Sequence, residues 1–150
     1  MVAPGPSGLW LHLEAELPAP VSRAFEALSD PNQLRQWWGP HHFTTPSIEL
    51  DLRVGGRYRF AMQPPDGDLF HLQGTFIDID APRRVGFTFR WEDPDPDDVD
   101  TVVTLSLLEL GASTRLTVDQ GAFVTEPRRE LHERGWSDSL QKLTILLSSA

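Results

Sequence analysis

The sequence predicts an α+β domain in which a curved, seven-stranded antiparallel sheet wraps a long C-terminal helix, with two short helices after the first strand. Three observations carry this. Seven stretches alternate apolar and polar residues at period two, as half-buried strands do. Only the last stretch, from Pro127 to about Leu147, recurs at three- and four-residue steps over a length of roughly 20 residues, or ~30 Å. Between the first and second strands lie two brief helical patterns, each introduced by proline.

Taken in order, Leu9, Leu11, Leu13, Ala15 and Leu17 share one face of the first strand, opposite Trp10, His12, Glu14 and Glu16. Pro18-Ala19-Pro20 ends it. Val21, Ala24, Phe25 and Leu28 then fall at i, i+3, i+4, i+7, the stripe of a short helix, with Pro20 suited to its first turn. Asp30-Pro31 reads as an N-cap and first helical residue for a second helix to Trp38, which Gly39-Pro40 stops. Ile48, Leu50 and Leu52 alternate with acids. Gly55-Gly56 then predicts a tight hairpin requiring positive φ at both glycines, before Tyr58, Phe60 and Met62 alternate with arginines. Pro64-Pro65-Asp66-Gly67 is a turn. The strand over 69–80 contains Gly74, which predicts a bulge or bend. Val85, Phe87, Phe89 and Trp91 form the fifth strand, and two more lie near 101–109 and 113–120. The C-terminal stripe is Leu131, Gly135, Trp136, Ser139, Leu140, Leu143 and Leu147. No repeat or long linker divides the chain, so 1–7 is expected to be a flexible N-terminal tail and 8–150 a single domain.

Composition limits function. The chain has 150 residues and a formal charge of −9, which disfavours nonspecific nucleic-acid or anionic-membrane binding. It contains no cysteine, so it has no disulfide, thiolate nucleophile or Cys-based metal site. No apolar run approaches the ~20 residues of a membrane span, and no basic n-region precedes Arg23. A cytoplasmic location is the expectation.

The chemistry-bearing residues are sparse. Histidines 12, 41, 42, 71 and 132 show no HxxxH or HxH spacing, so no metal is expected. Asp93, Asp95 and Asp97 mimic the start of a calcium loop, but Asp98 stands where glycine belongs and Thr104 where glutamate does; a solvated acidic loop is the reading. Gly55-Gly56 lacks the helix and Lys-Ser/Thr of a phosphate loop, and no serine sits in a GxSxG elbow. Tyr58, Asp51 and His132 are the only candidates for acid–base work, and none has a partner visible in sequence. No catalytic residue is assigned and no cofactor is expected.

Aromatic side chains are the stronger signal. Trp37 and Trp38 precede a helix stop, where they either wall a pocket or anchor the short helices to the sheet. Tyr58, Phe60, Met62, Phe87, Phe89 and Trp91 face inward from the sheet toward Trp136 and Leu140 on the helix. They form either a solid core or the lining of an apolar cavity. Gly135 and Ser139 thin the helix where a core favours leucine, which tips the reading toward a cavity holding an apolar small molecule.

Several of these motifs, in their order, resemble a known family. Ala19-Pro20-Val21…Phe25-Glu26-Ala27-Leu28, Asp30-Pro31…Leu34…Trp37-Trp38-Gly39-Pro40 and Asp51-Leu52-Arg53-Val54-Gly55-Gly56-Arg57-Tyr58-Arg59-Phe60 lead. Gly74-Thr75-Phe76…Pro82, Gly111-Ala112-Ser113-Thr114-Arg115-Leu116-Thr117 and His132-Glu133-Arg134-Gly135-Trp136 follow. Together they resemble the START-like (SRPBCC, helix-grip) superfamily, and within it the family named after the activator of the heat-shock-protein-90 ATPase. The resemblance implies the helix-grip fold from about residue 9 to 147. It implies less about activity, because the superfamily hosts binders, cyclases, transporters and cochaperones. A small-molecule binder is therefore the expected function, with a cyclase- or hydrolase-like enzyme or a stress-related cochaperone as alternatives. The expected partner is an apolar ligand, and a chaperone is the alternative the family name implies. The chain is expected to be a monomer or homodimer.

Overall fold

The computed structural model describes residues 8–148; the tail expected over 1–7 lies outside the described residues. The elements are β1 (Leu9–Leu17), α1 (Val21–Ser29), α2 (Pro31–Trp37), β2 (Thr44–Leu50), β3 (Arg57–Gln63), β4 (Phe70–Asp80), β5 (Arg84–Trp91), β6 (Thr101–Glu109), β7 (Thr114–Phe123) and α3 (Glu126–Ser148). The strands form one antiparallel sheet in the order β1-β7-β6-β5-β4-β3-β2. Every connection along β2 to β7 joins neighbours, so the meander follows directly from the turns punctuating the sequence. β1 closes the far edge by pairing with β7, Leu13 opposite Val118.

The expected fold holds, with local differences that have physical causes. β2 starts at Thr44 rather than near Ile48 and carries Pro46. It is an edge strand, where a missing N–H is tolerated. Asp30 caps α2 by accepting a hydrogen bond from the Asn32 N–H at 3.1 Å, and the helix ends at Trp37 with Trp38 as its C-cap. Of the paired glycines, only Gly55 has positive φ, at 87°. Gly56 is required for another reason: a Cβ there would stand 2.0 Å from the Asp51 carbonyl oxygen.

Gly74 likewise marks close approach rather than the bulge itself, since the β4–β5 register shifts between Phe76 and Asp78. Tyr58 pairs with Gly74 across β3–β4, and a Cβ on that glycine would meet the tyrosine ring at 2.6 Å. The space allows the phenol O–H to donate to the Thr88 carbonyl at 2.5 Å. Burial raises the Tyr58 pKa far above its usual value.

The core fills the concave side of the sheet. α3 crosses that side, burying Trp136, Ser139, Leu140, Leu143 and Leu147, while α1 and α2 plug one end with Leu28, Leu34 and Trp37. Leu131, the first residue of the expected helical stripe, is 48% exposed. It lies at the rim, while His132 beside it packs against rings of the sheet.

Candidate functional site

Where α3 leaves the sheet, a cavity of about 170 Å³ opens between the helix and strands β3, β4 and β5. Its walls are Trp38, Gly39, Pro40, Phe43, Met62, Phe70, Phe89, Trp91, Leu131, His132, Gly135, Trp136 and Ser139. Five of the ten expected lining residues meet here: Trp38, Met62, Phe89, Trp91 and Trp136. The other five do not.

Trp37, Tyr58, Phe60 and Phe87 belong to the opposite end, where only about 20 Å³ is unfilled. Tyr58 stacks among Phe60, Phe76 and Phe87 with ring centroids 5.0, 5.6 and 5.4 Å away, leaving no room for a ligand. The Trp37 indole donates to the Ala27 carbonyl at 2.9 Å, so this residue anchors α2 to α1 instead of offering its N–H to a pocket. Leu140 points away from the cavity, beside Leu13 and Ala15 of β1. Trp38 touches both compartments and forms the partition. Its ring meets Phe60 at 4.9 Å and Trp136 at 5.1 Å, both edge to face.

Two polar devices hold the cavity open. Trp136 donates its indole N–H to Gln120 Oε1 at 2.8 Å, and Gln120 Nε2 donates to Thr101 Oγ1 at 2.9 Å. The chain is buried and fixes the indole upright from the β6–β7 side. Ser139 is the second. Its hydroxyl accepts from the Gly39 N–H at 2.9 Å and lies within donating distance of the Gly39 and Gly135 carbonyls, at 3.1 and 2.9 Å. Its small size was expected to leave room; it also clamps the α2–β2 loop to α3. Gly135 does leave room, since a Cβ there would find its nearest neighbour, Pro40 Cγ, at 3.8 Å.

Phe43 and Phe70 were not among the expected lining residues, and His132 was expected only as an acid–base candidate. His132 lies one turn before Trp136, and the ring is packed against Phe123, Phe89 and Trp91 at centroid distances of 4.9, 5.3 and 5.9 Å. Desolvation, aided by the charge of Arg128, pushes its pKa down to about 4, so the imidazole is neutral at ordinary pH. It is a cavity-wall residue. The other acid–base candidates are elsewhere: Tyr58 is bonded to Thr88, and Asp51 accepts from Arg53 Nε at 2.7 Å on the surface. The three candidates therefore do not meet.

The acidic loop docks on the first turn of α3, outside the cavity wall. Arg128 donates to Asp95 and Asp97, each at 2.9 Å, and its Nε lies 3.2 Å from Asp98. Thr125 donates to Asp97 at 2.9 Å and accepts from the Arg128 backbone N–H at 3.2 Å, capping α3. The loop was expected to be solvated, and Asp93, Asp95 and Asp100 are exposed. Three of its six acids, Asp95, Asp97 and Asp98, also gather on one guanidinium, because Arg128 at the helix start is largely shielded from water.

Residues 18–148 match the family described as activator of Hsp90 ATPase homolog 1-like protein. The chain belongs to that family. Its START-type fold recurs in solved structures. A protein from Chromobacterium violaceum is 27% identical, with 94% of this chain and 98% of that one aligned and a TM-score of 0.86. A family protein from Silicibacter pomeroyi is 30% identical over 93% of this chain and 97% of that one, with a TM-score of 0.80. A third, from Arthrobacter aurescens, is 28% identical, covering 95% and 88%, with a TM-score of 0.81. No curated protein sequence matches the chain. Among the described residues, no helix of this family member is long and apolar enough to cross a membrane.

Proposed function

We propose that this protein reversibly binds a small, mostly apolar molecule in the cavity between the sheet and α3. One observation carries the reading: about 170 Å³ is left unfilled inside an aromatic wall at the point where α3 carries a glycine. A chain of this composition has leucine and phenylalanine enough to close such a space. Burial of ~200 Å² of ligand surface at ~25 cal/mol per Å² supplies about 5 kcal/mol before association costs, so micromolar binding needs no charge pairing.

Thermal shift and tryptophan fluorescence against a panel of small aromatic and alicyclic compounds test the reading, because a ligand that binds only the folded chain raises its melting temperature. Gly135→Leu is the matched control. It replaces a poor helix former by a good one, a gain of about 1 kcal/mol, and sends its side chain into the void. The variant is expected to melt higher than wild type and to give no ligand-induced shift. A variant that still binds places the ligand elsewhere. A panel without any response, together with stimulation of a chaperone ATPase by the protein, would replace this reading by the cochaperone one that the family name carries.

A further inference from the structure

Resting on that binding reading, we propose that the cavity selects a single-ring molecule carrying one uncharged hydroxyl, of the phenol type, and that His132 receives the hydroxyl. Size sets the first limit. An apolar cavity of about 150 Å³ holds one benzene, so about 170 Å³ accepts one ring with one or two small substituents.

The polar inventory of the wall sets the second. Two side chains with a nitrogen or oxygen that can accept a hydrogen bond line the cavity, Ser139 and His132; the indoles of Trp38, Trp91 and Trp136 are donors only, and that of Trp136 is given to Gln120. Ser139 already accepts from one backbone N–H and has two backbone carbonyls for its single proton. His132 forms no hydrogen bond among the described residues, and its ring is held by Phe89, Trp91 and Phe123. The one side-chain nitrogen or oxygen both sealed from all space and unbonded among the described residues is Arg128 Nε. The imidazole nitrogens are therefore not sealed off, and the side chain that carries them lines the cavity.

Charge sets the third. No lining residue is an acid, a lysine or an arginine. Arg128, one turn earlier on α3, is committed to Asp95, Asp97 and Asp98. A carboxylate entering the cavity would lose its hydration without a partner. A neutral imidazole presents one N–H and one bare nitrogen. A hydroxyl can answer either one, whatever the tautomer, whereas a carbonyl can answer only the N–H.

The test compares phenol with toluene, which has the same number of heavy atoms, and adds benzoate and phenyltrimethylammonium. Affinities are measured by titration calorimetry on wild type, His132→Phe and His132→Asn. In wild type, phenol is expected to bind at least as tightly as toluene, and both better than the two ions. In His132→Phe the phenol-to-toluene affinity ratio falls about tenfold, the effect of removing one partner from a buried hydroxyl, and His132→Asn recovers part of it. The imidazole ¹⁵N shifts of His132 in wild type provide a readout that needs no variant. They move with phenol and stay in place with toluene. An unchanged ratio in a variant that still binds toluene, ¹⁵N shifts indifferent to phenol, or tighter binding of either ion would overturn the assignment while leaving the cavity reading intact. Failure of both phenol and toluene to bind wild type would overturn both.

Discussion

The two ends of the space between sheet and helix are built from the same kind of side chain, yet one is solid and the other hollow. At the solid end Tyr58, Phe60, Phe76 and Phe87 meet Trp37, Leu28 and Leu34 of the short helices, leaving about 20 Å³. At the hollow end Trp38, Phe43, Phe70, Phe89, Trp91 and Trp136 enclose about 170 Å³. Aromatic content does not distinguish them. The difference is what covers the sheet: α1 and α2 fill one end with large side chains, while α3 sets Trp136 over the other but leaves gaps at Gly135 and Ser139.

The largest expected effect tests the solid end. Trp37→Ala removes a fully buried indole and its bond to Ala27, and should cost about 3–5 kcal/mol in denaturant unfolding. Trp91→Ala, at the half-buried rim of the hollow end, should cost clearly less. Equal losses would mean that the two ends are packed alike.

The next effect is electrostatic. The folded-state pKa of His132, about 4, lies below the ordinary value of 6.5, so between those limits the unfolded chain binds more protons than the folded one. Stability contributed by this group is therefore complete above pH 6.5 and lost as pH falls toward 4, by about 2–3 kcal/mol across the window. Urea unfolding of wild type and His132→Phe at intervals from pH 7 to 4.5 checks it. The variant should show a correspondingly shallower slope, and identical slopes would place the imidazole in water.

The smallest concerns the clamp. Ser139→Ala leaves the Gly39 N–H without its partner and should cost about 1–2 kcal/mol. It should also accelerate amide exchange at Gly39 but not at Val85, on the solid side. Uniform acceleration would show that the clamp supports the whole fold and not the hollow end alone.

Most of the fold was legible in the sequence because its signals are local. Period-two alternation, the prolines at 18, 20, 31 and 40, and the change of period after Pro127 each depend on neighbouring residues. The site was half legible. Alternation shows that Phe60 and Met62 both face inward, but not how far along the strand the covering helix departs, so Phe60 fills the solid end while Met62 lines the hollow one. Leu140 shares the buried side of α3 with Trp136 but turns toward β1. Phe43 lies on a loop without periodicity, and no local pattern could bring it to Phe70, 6.2 Å away. His132 did leave a trace: with Gly135, Trp136 and Ser139 it falls at three- and four-residue steps on one helix face. The Arg128 clamp depends on a loop folding back some thirty residues, a placement no spacing rule supplies.

The unfilled volume also bears on how long the protein lasts. A cavity of about 170 Å³ leaves apolar wall uncovered that a filled core would bury. For a domain whose whole margin is about 5–15 kcal/mol, the burial that an occupant adds there is a sizeable increment. A molecule seated there would shrink the population of open chains exposed to proteases by the same linkage that raises the melting temperature. The steady-state amount of the protein in a cell would then track its occupant, rising when the compound is plentiful and falling when it is scarce. Gly135→Leu, with the void filled by its own side chain, would hold a constant level in both conditions.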